Sequence, residues 1–183
     1  MFNRSIQSLI LGFIVSWLIG MAAAADKSSA SKVSRADENF VKEAAAGGMM
    51  EVELGKMAAE KAANDKVKAF GRQMQQDHGK ANEELKTVAA SKGVQIPTAL
   101  EGKHKRTVDH LSKLSGPEFD RQYIRTMIED HKEDLKAFQR EADKGKDPDL
   151  KEFASKYVPM IKNHLEMAQT TGEQIKLASK QTR

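Results

Sequence analysis

The chain has 183 residues, of which 39% are hydrophobic and 31% are charged, which is the composition of a single soluble globular domain. It contains no cysteine, so disulfide bonds and thiolate metal sites are excluded. The formal net charge is +4, and lysines alternate with glutamates along the chain, as they do on solvated helix faces. This pattern argues against a nucleic-acid partner.

The first 25 residues have the pattern of a secretory signal peptide. Arg4 precedes an apolar run from Leu9 to Met21, and the alanines Ala22 to Ala25 follow it. We expect cleavage at the end of this alanine run, because the apolar run is short for a membrane span. Retention as an N-terminal anchor is the alternative. The mature protein is therefore predicted to be periplasmic or secreted and to have no transmembrane segment, with a flexible leader over residues 26–35.

The first two helices of the mature chain are predicted from their apolar period and from the residues between them. Apolar and small residues recur with the 3.6-residue period over 36–63 and again over 66–92, and Asn64-Asp65 is a helix-cap signal. The short turn makes these helices antiparallel neighbours. Glu51 falls within the apolar face of the first helix, and His78 lies at the centre of the apolar face of the second. Both are predicted to be buried.

A lysine-rich segment over residues 98–114 follows, and we interpret it as a helical crossover packed on the outside of a bundle. Its two histidines, His104 and His110, lie on different helix faces, and both are predicted to be surface residues. The next long helix is predicted to begin at Ser115-Gly116-Pro117-Glu118, which combines cap residues with a proline in the first turn, and to end near Asp143.

The fourth long helix is predicted over residues 148–178, with a frayed tail over 179–183. His164 lies at the centre of its apolar face, and His131 has the same position in the third long helix. Pro159 lies on the opposite, solvent-facing side, where the loss of one backbone hydrogen bond predicts a bend. The predicted domain is therefore a four-helix bundle over residues 36–178.

A Met-x3-His spacing occurs once in each of the last three long helices. The pairs are Met74 with His78, Met127 with His131, and Met160 with His164. Residues four apart lie on the same helix face. Each of the three histidines, like Glu51, lies near the midpoint of its own helix, and helix midpoints coincide in a four-helix bundle whichever way each helix runs. Glu51 and the histidines are therefore predicted to meet in one central layer.

This central layer has the ligand chemistry of a metal site. One carboxylate and three imidazoles are a suitable ligand set for a divalent ion, with copper, zinc and iron as candidate metals. Asp77, Asp130 and Asp134 are available as acceptors that orient the histidines, and the three paired methionines are soft groups that would favour copper. A closed Glu-His hydrogen-bond network without metal is the competing interpretation, since buried polar groups must satisfy one another or bind something.

Four segments together resemble an uncharacterised bacterial family of secreted, ferritin-like four-helix proteins that are often named outer-membrane proteins. The segments are Gly48 to Ala58, Phe70 to His78 with its Asp77-His78 end, His131, and Pro159 to His164. The resemblance extends over about residues 36–177 of the sequence. It implies an all-α, ferritin-like four-helix bundle with a long helical crossover between helices 2 and 3, and it implies export. It implies no catalytic residues, because no function is established for the family.

The sequence departs from the di-iron bundles at the positions that matter for iron chemistry. Those bundles use a glutamate from each of two helices and Glu-x-x-His from each of the other two. Here Gln75 stands three residues before His78, and Ile161 stands three residues before His164. Most hard oxygen ligands are therefore missing, so we expect a mononuclear metal and no ferroxidase activity.

The sequence as a whole predicts an exported metal-binding bundle with a binding or envelope-stress role, and not an enzyme. A metal-free structural or interaction protein of the cell envelope is the alternative, in which the polar layer only fixes helix packing. A redox or hydrolytic metalloenzyme is a third possibility that would need an open coordination position. A homo-oligomer is compatible with the sequence, which identifies no protein partner.

Overall fold

The computed structural model describes residues 33–181, with side chains up to residue 176. Within this range the chain is all-helical: α1 is Arg35–Lys61, α2 is Asp65–Ser91, α3 is Gly102–Ser112, α4 is Gly116–Lys144 and α5 is Pro148–Gln181. The predicted four-helix bundle, with its helical crossover between the second and third long helices, is confirmed. The predicted signal peptide, nearly all of the leader and the last two residues of the tail lie outside the described residues.

The helix boundaries follow the capping residues that the sequence supplies. The Ser34 side chain accepts from the backbone N–H of Asp37 at the start of α1, and Asn64 accepts from Lys66 N–H at the start of α2. The crossover helix α3 is shorter than the predicted 98–114, because Gly102 has φ 54°, a left-handed conformation that does not continue a helix backwards. Helix α5 runs through the exposed Pro159 without a break.

Two buried aspartates show how the helix ends are arranged. Asp120, near the start of α4, accepts hydrogen bonds from Ala63 and Asn64 in the α1–α2 turn, at 3.0 and 2.8 Å. Asp37, near the start of α1, accepts one from Asp147 in the α4–α5 turn at 2.9 Å. The start of α4 therefore lies beside the end of α1, so these two helices are antiparallel. The crossover carries the chain from one end of the bundle to the other.

The core consists of two apolar clusters. The first surrounds the α1–α2 turn and contains Leu54, Phe70, Met74, Tyr123 and Met127 among others. The second lies at the other end of the bundle and includes Val41, Leu85, Phe138, Leu150 and Ile161. On α2, α4 and α5, one buried histidine separates the positions that join the first cluster from those that join the second, and on α1 Glu51 directly follows Met50, which joins the first cluster. This arrangement places a single polar layer at the middle of the bundle.

The backbones of helices α1 and α2 approach each other closely at two glycines. A Cβ atom added to Gly55 would lie 2.7 Å from the carbonyl oxygen of Gly71, and one added to Gly71 would lie 2.7 Å from the carbonyl oxygen of Gly55. Real Cβ atoms essentially never come this near to backbone. Glycine at both positions therefore allows the close contact that brings Glu51, one turn before Gly55, against α2.

The prediction that His104 is a surface residue is wrong. Its exposed fraction is 8%, whereas His110 is exposed as predicted. Helix α3 packs against α1 and α4, and the His104 ring faces the groove between these helices beside Lys103 and Asp130. The spacing of His104 with Leu100 and Leu111 on one face of the segment was the signal for its burial. Its charged surroundings do not change which face of α3 packs inward.

No helix among residues 33–181 is both long enough and apolar enough to span a membrane.

Candidate metal centre

The four residues of the predicted central layer are all buried in the structure. The exposed fraction is 1% for Glu51 on α1, 5% for His78 on α2, 0% for His131 on α4 and 1% for His164 on α5. The apolar stripe of each helix dictates this burial, because each residue stands at the centre of its stripe. Removing four polar groups from water costs free energy unless each finds a partner.

The three imidazole rings surround a common point. The ring centres of His78 and His131 are 5.4 Å apart, those of His78 and His164 are 5.3 Å apart, and those of His131 and His164 are 5.5 Å apart. Each histidine offers one nitrogen to a set in which all three lie within 4.8 Å of one another. Three imidazoles from three helices therefore converge at a spacing that suits ligands of a single ion.

Each histidine also has one nitrogen that faces an acceptor on the outer side of this triangle. His78 Nδ1 lies 2.7 Å from Glu51 Oε2, and His164 Nε2 lies 3.0 Å from Asp77 Oδ2. His131 Nδ1 lies 3.0 Å from the carbonyl oxygen of Met127, one turn earlier on α4. Metal-binding histidines are held in this way, with one nitrogen donating to a carboxylate or carbonyl while the other binds the ion.

These contacts determine which nitrogens carry protons when the carboxylates are ionised. A carbonyl oxygen can only accept, so His131 Nδ1 is the N–H and Nε2 holds the lone pair. Ionised Glu51 and Asp77 likewise require N–H at His78 Nδ1 and at His164 Nε2. The remaining nitrogens of His78 and His164 then hold lone pairs and lie 3.3 Å apart, while His131 Nε2 is buried with no hydrogen-bond partner.

The ionisation of these groups is strongly affected by burial. Burial is the main cause that lowers the pKa of His78 and of His164 to about 4, so both rings are neutral at pH 7. Burial also lowers the pKa of His131. For Asp77, partial burial acts to raise the pKa, but hydrogen bonds with Gln73 and His164 outweigh it and lower the pKa. Neutral imidazoles beside an ionised Asp77 are the form in which histidine binds metals.

Burial raises the pKa of Glu51 to about 8, although contact with Asp130 opposes part of this effect. Burial also raises the pKa of Asp130 and of Asp134, and the negative charge of Glu51 adds to the increase at both. Three carboxyl groups from α1 and α4 therefore lie close enough to influence one another on one side of the histidine triangle. The sequence predicts Glu51 as a fourth ligand, and this stays a prediction; in the structure its Oε2 contacts Nδ1 of His78.

One small cavity adjoins this centre. It measures about 20 Å³, is lined by Glu51, His78 and Met160 among others, and suits a single water-sized species. A larger groove of about 490 Å³ lies between α1 and α4, with His104 and Lys103 of α3 on one side and Asp130 and Asp134 along α4. Asp134 lines both cavities and so lies between the groove and the centre.

The paired methionines are part of the apolar packing around the centre. Met74 and Met127 are fully buried members of the cluster near the α1–α2 turn, and Met160 packs against the other cluster. Methionine commonly fills core gaps in this way.

The sequence matches one known family over most of its length. The family described as Domain of unknown function (DUF4142) matches residues 22–171. No curated protein matches the chain. The family match supports the sequence-based resemblance to an uncharacterised family, while the secreted character stays a prediction.

Solved structures of other proteins have a similar fold. A DUF305 fragment from Deinococcus radiodurans aligns with a TM-score of 0.66 and 17% identity, over 77% of this chain and 98% of that one. CopM in its Cu(II)-bound form aligns with a TM-score of 0.64 and 17% identity, over 75% of this chain and 96% of that one. CopM in an Ag-bound form aligns with a TM-score of 0.56 and 18% identity, over 79% and 96%. Identities this low establish the fold alone.

Proposed function

The chain belongs to the DUF4142 family, and from the geometry of its centre we propose that it binds one transition-metal ion through His78, His131 and His164. The nitrogens proposed as ligands are Nε2 of His78, Nε2 of His131 and Nδ1 of His164. Glu51, Asp77 and the carbonyl of Met127 hold the rings in place by accepting their N–H groups. The ion would then be mononuclear, as the sequence predicts.

One observation carries this proposal: His131 Nε2 is buried with no hydrogen-bond partner, whether or not Glu51 is ionised. With Glu51 and Asp77 ionised, the 3.3 Å contact between His78 Nε2 and His164 Nδ1 joins two acceptors, and His131 Nε2 has no partner. A cation at the centre would bind all three lone pairs at once. Nitrogens of this kind bind metals at about 2.0 to 2.1 Å, which the present spacing allows with small shifts of the side chains.

Imidazole ligands suit copper and zinc better than magnesium or calcium, and iron is the third candidate. The fold similarity to CopM, whose structures are described as Cu(II)-, Cu(I)- and Ag-bound, makes copper the first metal to test. Neutral rings at pH 7 would bind without first losing a proton.

A metal-free role is the second candidate, and the Glu51 pKa of about 8 favours it. If Glu51 is protonated at pH 7, it donates to His78 Nδ1, His78 Nε2 donates to His164 Nδ1, and His164 Nε2 donates to Asp77. This series of hydrogen bonds satisfies every one of those contacts without an ion and would fix the packing of α1, α2 and α5. It leaves His131 Nε2 without a partner, which is why we favour the metal.

A binding or envelope-stress role, and not catalysis, is the biological function that we propose for this centre. It depends on export of the chain, which the sequence of residues 1–25 predicts. Mass spectrometry of the protein recovered from periplasm tests this directly. A mature N-terminus within residues 23–27 is expected, and an intact Met1 in a cytoplasmic fraction would contradict the proposed location.

The test of metal binding is elemental analysis of untagged mature protein that has been purified without a chelator. We expect about one equivalent of metal in the wild type, loss of that metal in His131→Ala and in His164→Ala, and no loss in His110→Ala, whose histidine is exposed. Circular dichroism checks that each variant is folded. The proposal would be contradicted if the wild type held no metal after incubation with copper, zinc or iron. It would also be contradicted if both buried-histidine variants retained the metal.

A further inference from the structure

Two carboxylate oxygens beside the histidine triangle have no hydrogen-bond partner although both atoms are buried. They are Glu51 Oε1 and Asp130 Oδ2. Glu51 is only 1% exposed, and its other oxygen is already engaged with His78. Buried carboxylate oxygens in proteins are normally hydrogen-bonded, so two such atoms in one place require an explanation.

The two carboxyl groups also lie close to each other. One oxygen of Glu51, one of Asp130 and a ring nitrogen of His131 lie within 4.8 Å of one another. The nearby nitrogen, His131 Nδ1, is 3.3 Å from Glu51 Oε1, but its proton points to the carbonyl of Met127. The neutral His131 ring therefore lies beside the two carboxyl groups without donating a proton to either. Either a shared proton or a bound cation would satisfy the unpartnered oxygens of the pair, and the titration below distinguishes the two.

The groove between α1 and α4 gives access from solvent to the aspartates of this place. Asp130 and Asp134 line it one turn apart on α4. Lys103, which also lines the groove, lies 3.7 Å from Glu43 and 3.9 Å from Glu133, which are both exposed acids. Burial raises the pKa of Asp130 and of Asp134, and the positive charge of Lys103 opposes only part of this rise.

We infer that Glu51, Asp130 and Asp134 form a second cation site between the histidine triangle and the α1–α4 groove, suited to a hard divalent ion such as Mn²⁺, Mg²⁺ or Ca²⁺. Asp134 belongs to it because it lines the small cavity together with Glu51 and the groove together with Asp130. Carboxylate oxygens are the ligands that these ions prefer, whereas the adjacent imidazoles suit softer ions. Waters entering through the groove would complete the coordination, as is usual for such ions in partly open sites.

The two sites share Glu51 but use different atoms of it. Oε2 accepts from His78, whereas Oε1 is buried without a hydrogen-bond partner and is the atom proposed for the second site. A cation bound by Oε1 would hold Glu51 ionised and so keep the His78 tautomer that presents Nε2 to the histidine centre. The second site goes beyond the proposed transition-metal function, and it can exist whether or not the histidines bind an ion.

Titration of the mature protein with Mn²⁺ tests the inference, with free Mn²⁺ measured by electron paramagnetic resonance. We expect one Mn²⁺ bound by the wild type, and at least tenfold weaker binding in Asp130→Asn and in Asp134→Asn. Glu133→Gln is the matched control, because it removes an exposed acid from the mouth of the same groove and should change binding by less than threefold. Far-ultraviolet circular dichroism confirms the fold of each variant.

His164→Ala separates this site from the histidine centre. Mn²⁺ binding is expected to persist in this variant, because none of the proposed oxygen ligands touches His164. Binding that is lost in His164→Ala but retained in Asp130→Asn would place Mn²⁺ at the histidines and overturn the inference. So would absence of Mn²⁺ binding to the wild type, or an equal loss in the Glu133→Gln control.

Discussion

Glu51 Oε2 lies 2.7 Å from Nδ1 of His78, between the two apolar clusters of the bundle. The contact depends on the close approach of α1 and α2 at Gly55 and Gly71, where neither backbone leaves space for a side chain. Gly55 and Gly71 thus set the distance between the side chains of Glu51, one turn from Gly55, and His78, two turns from Gly71. The geometry of the centre is in this sense a consequence of backbone packing.

Gly55→Ala is therefore expected to destabilise the bundle and to weaken metal binding. The new methyl group would meet the Gly71 carbonyl oxygen and the backbone of Gln75, so the helices must separate. Overpacking of this kind costs about 1 to 3 kcal/mol. Urea denaturation and metal titration measure the two effects.

Gly79→Ala is the matched control for this substitution. A Cβ atom at Gly79 would have nothing within 4 Å, and the residue lies within α2. The change should stabilise the protein by up to about 1 kcal/mol, because alanine favours the helix. Equal destabilisation by Gly55→Ala and Gly79→Ala would mean that the close helix contact does not control stability.

Asp77→Ala should weaken the metal centre without removing it. Asp77 accepts from His164 Nε2 at 3.0 Å and so fixes the ring that presents Nδ1 to the centre. Loss of such a supporting acceptor typically reduces metal affinity about 10- to 100-fold. Competition titration with a chromophoric chelator measures the change. Glu83→Ala, at an exposed position of the same helix, should leave the affinity unaltered, and a similar loss there would contradict the role of Asp77.

Asp120→Ala is expected to lower the free energy of unfolding while sparing the metal centre. The Asp120 carboxylate accepts from the backbone N–H groups of Ala63 and Asn64, and the residue is only 3% exposed. Loss of a hydrogen bond to a carboxylate costs about 1.5 to 3 kcal/mol, and water can reach the freed N–H of the exposed Ala63, so we expect a loss near the lower end. Chemical denaturation measures the loss of unfolding free energy. Asp109→Ala on the exposed side of α3 should cost much less, and comparable losses would show that Asp120 does not hold the turn.

Glu141→Gln should change how stability depends on pH. Burial raises the pKa of Glu141 to about 7, and the nearby negative charge of Asp37 adds to the effect. Between its unfolded value near 4.5 and this folded value, the folded wild type binds more protons than the unfolded chain. Its stability relative to Glu141→Gln should therefore fall as pH rises from about 4.5 to above 7.

The measurement for Glu141 is urea denaturation of both proteins at several pH values. The buried histidines titrate equally in both, so the difference between the two curves isolates Glu141. Glu152→Gln, an exposed position on α5, serves as the control. A wild-type advantage that stays constant, or that grows with pH, would contradict the raised pKa.

Much of the fold was predictable because it depends on local periodicity. The four long helices begin and end within a few residues of their predicted limits, since caps such as Asn64 and Asp147 act through the nearest backbone groups. The depth of the polar layer was predictable for the same reason, because helix rise is constant and Glu51 and the three histidines lie near the helix midpoints.

Sequence periodicity does not specify the contacts between elements distant in the chain. His104 was predicted to be exposed because α3 is rich in lysine, yet packing against α1 and α4 buries its ring. Asp37 and Asp120 gave no signal in the sequence, since their partners are backbone groups more than 50 residues away. Such contacts depend on which helix ends meet.

The sequence by itself determined that these helices form and that Glu51, His78, His131 and His164 lie inward at one level, because a 3.6-residue period and helix length are properties of each segment alone. Only the tertiary structure decided which nitrogen of each ring faces the centre. That choice depends on acceptors carried by other turns and other helices, as with Glu51 for His78, and on side-chain torsions that close packing selects.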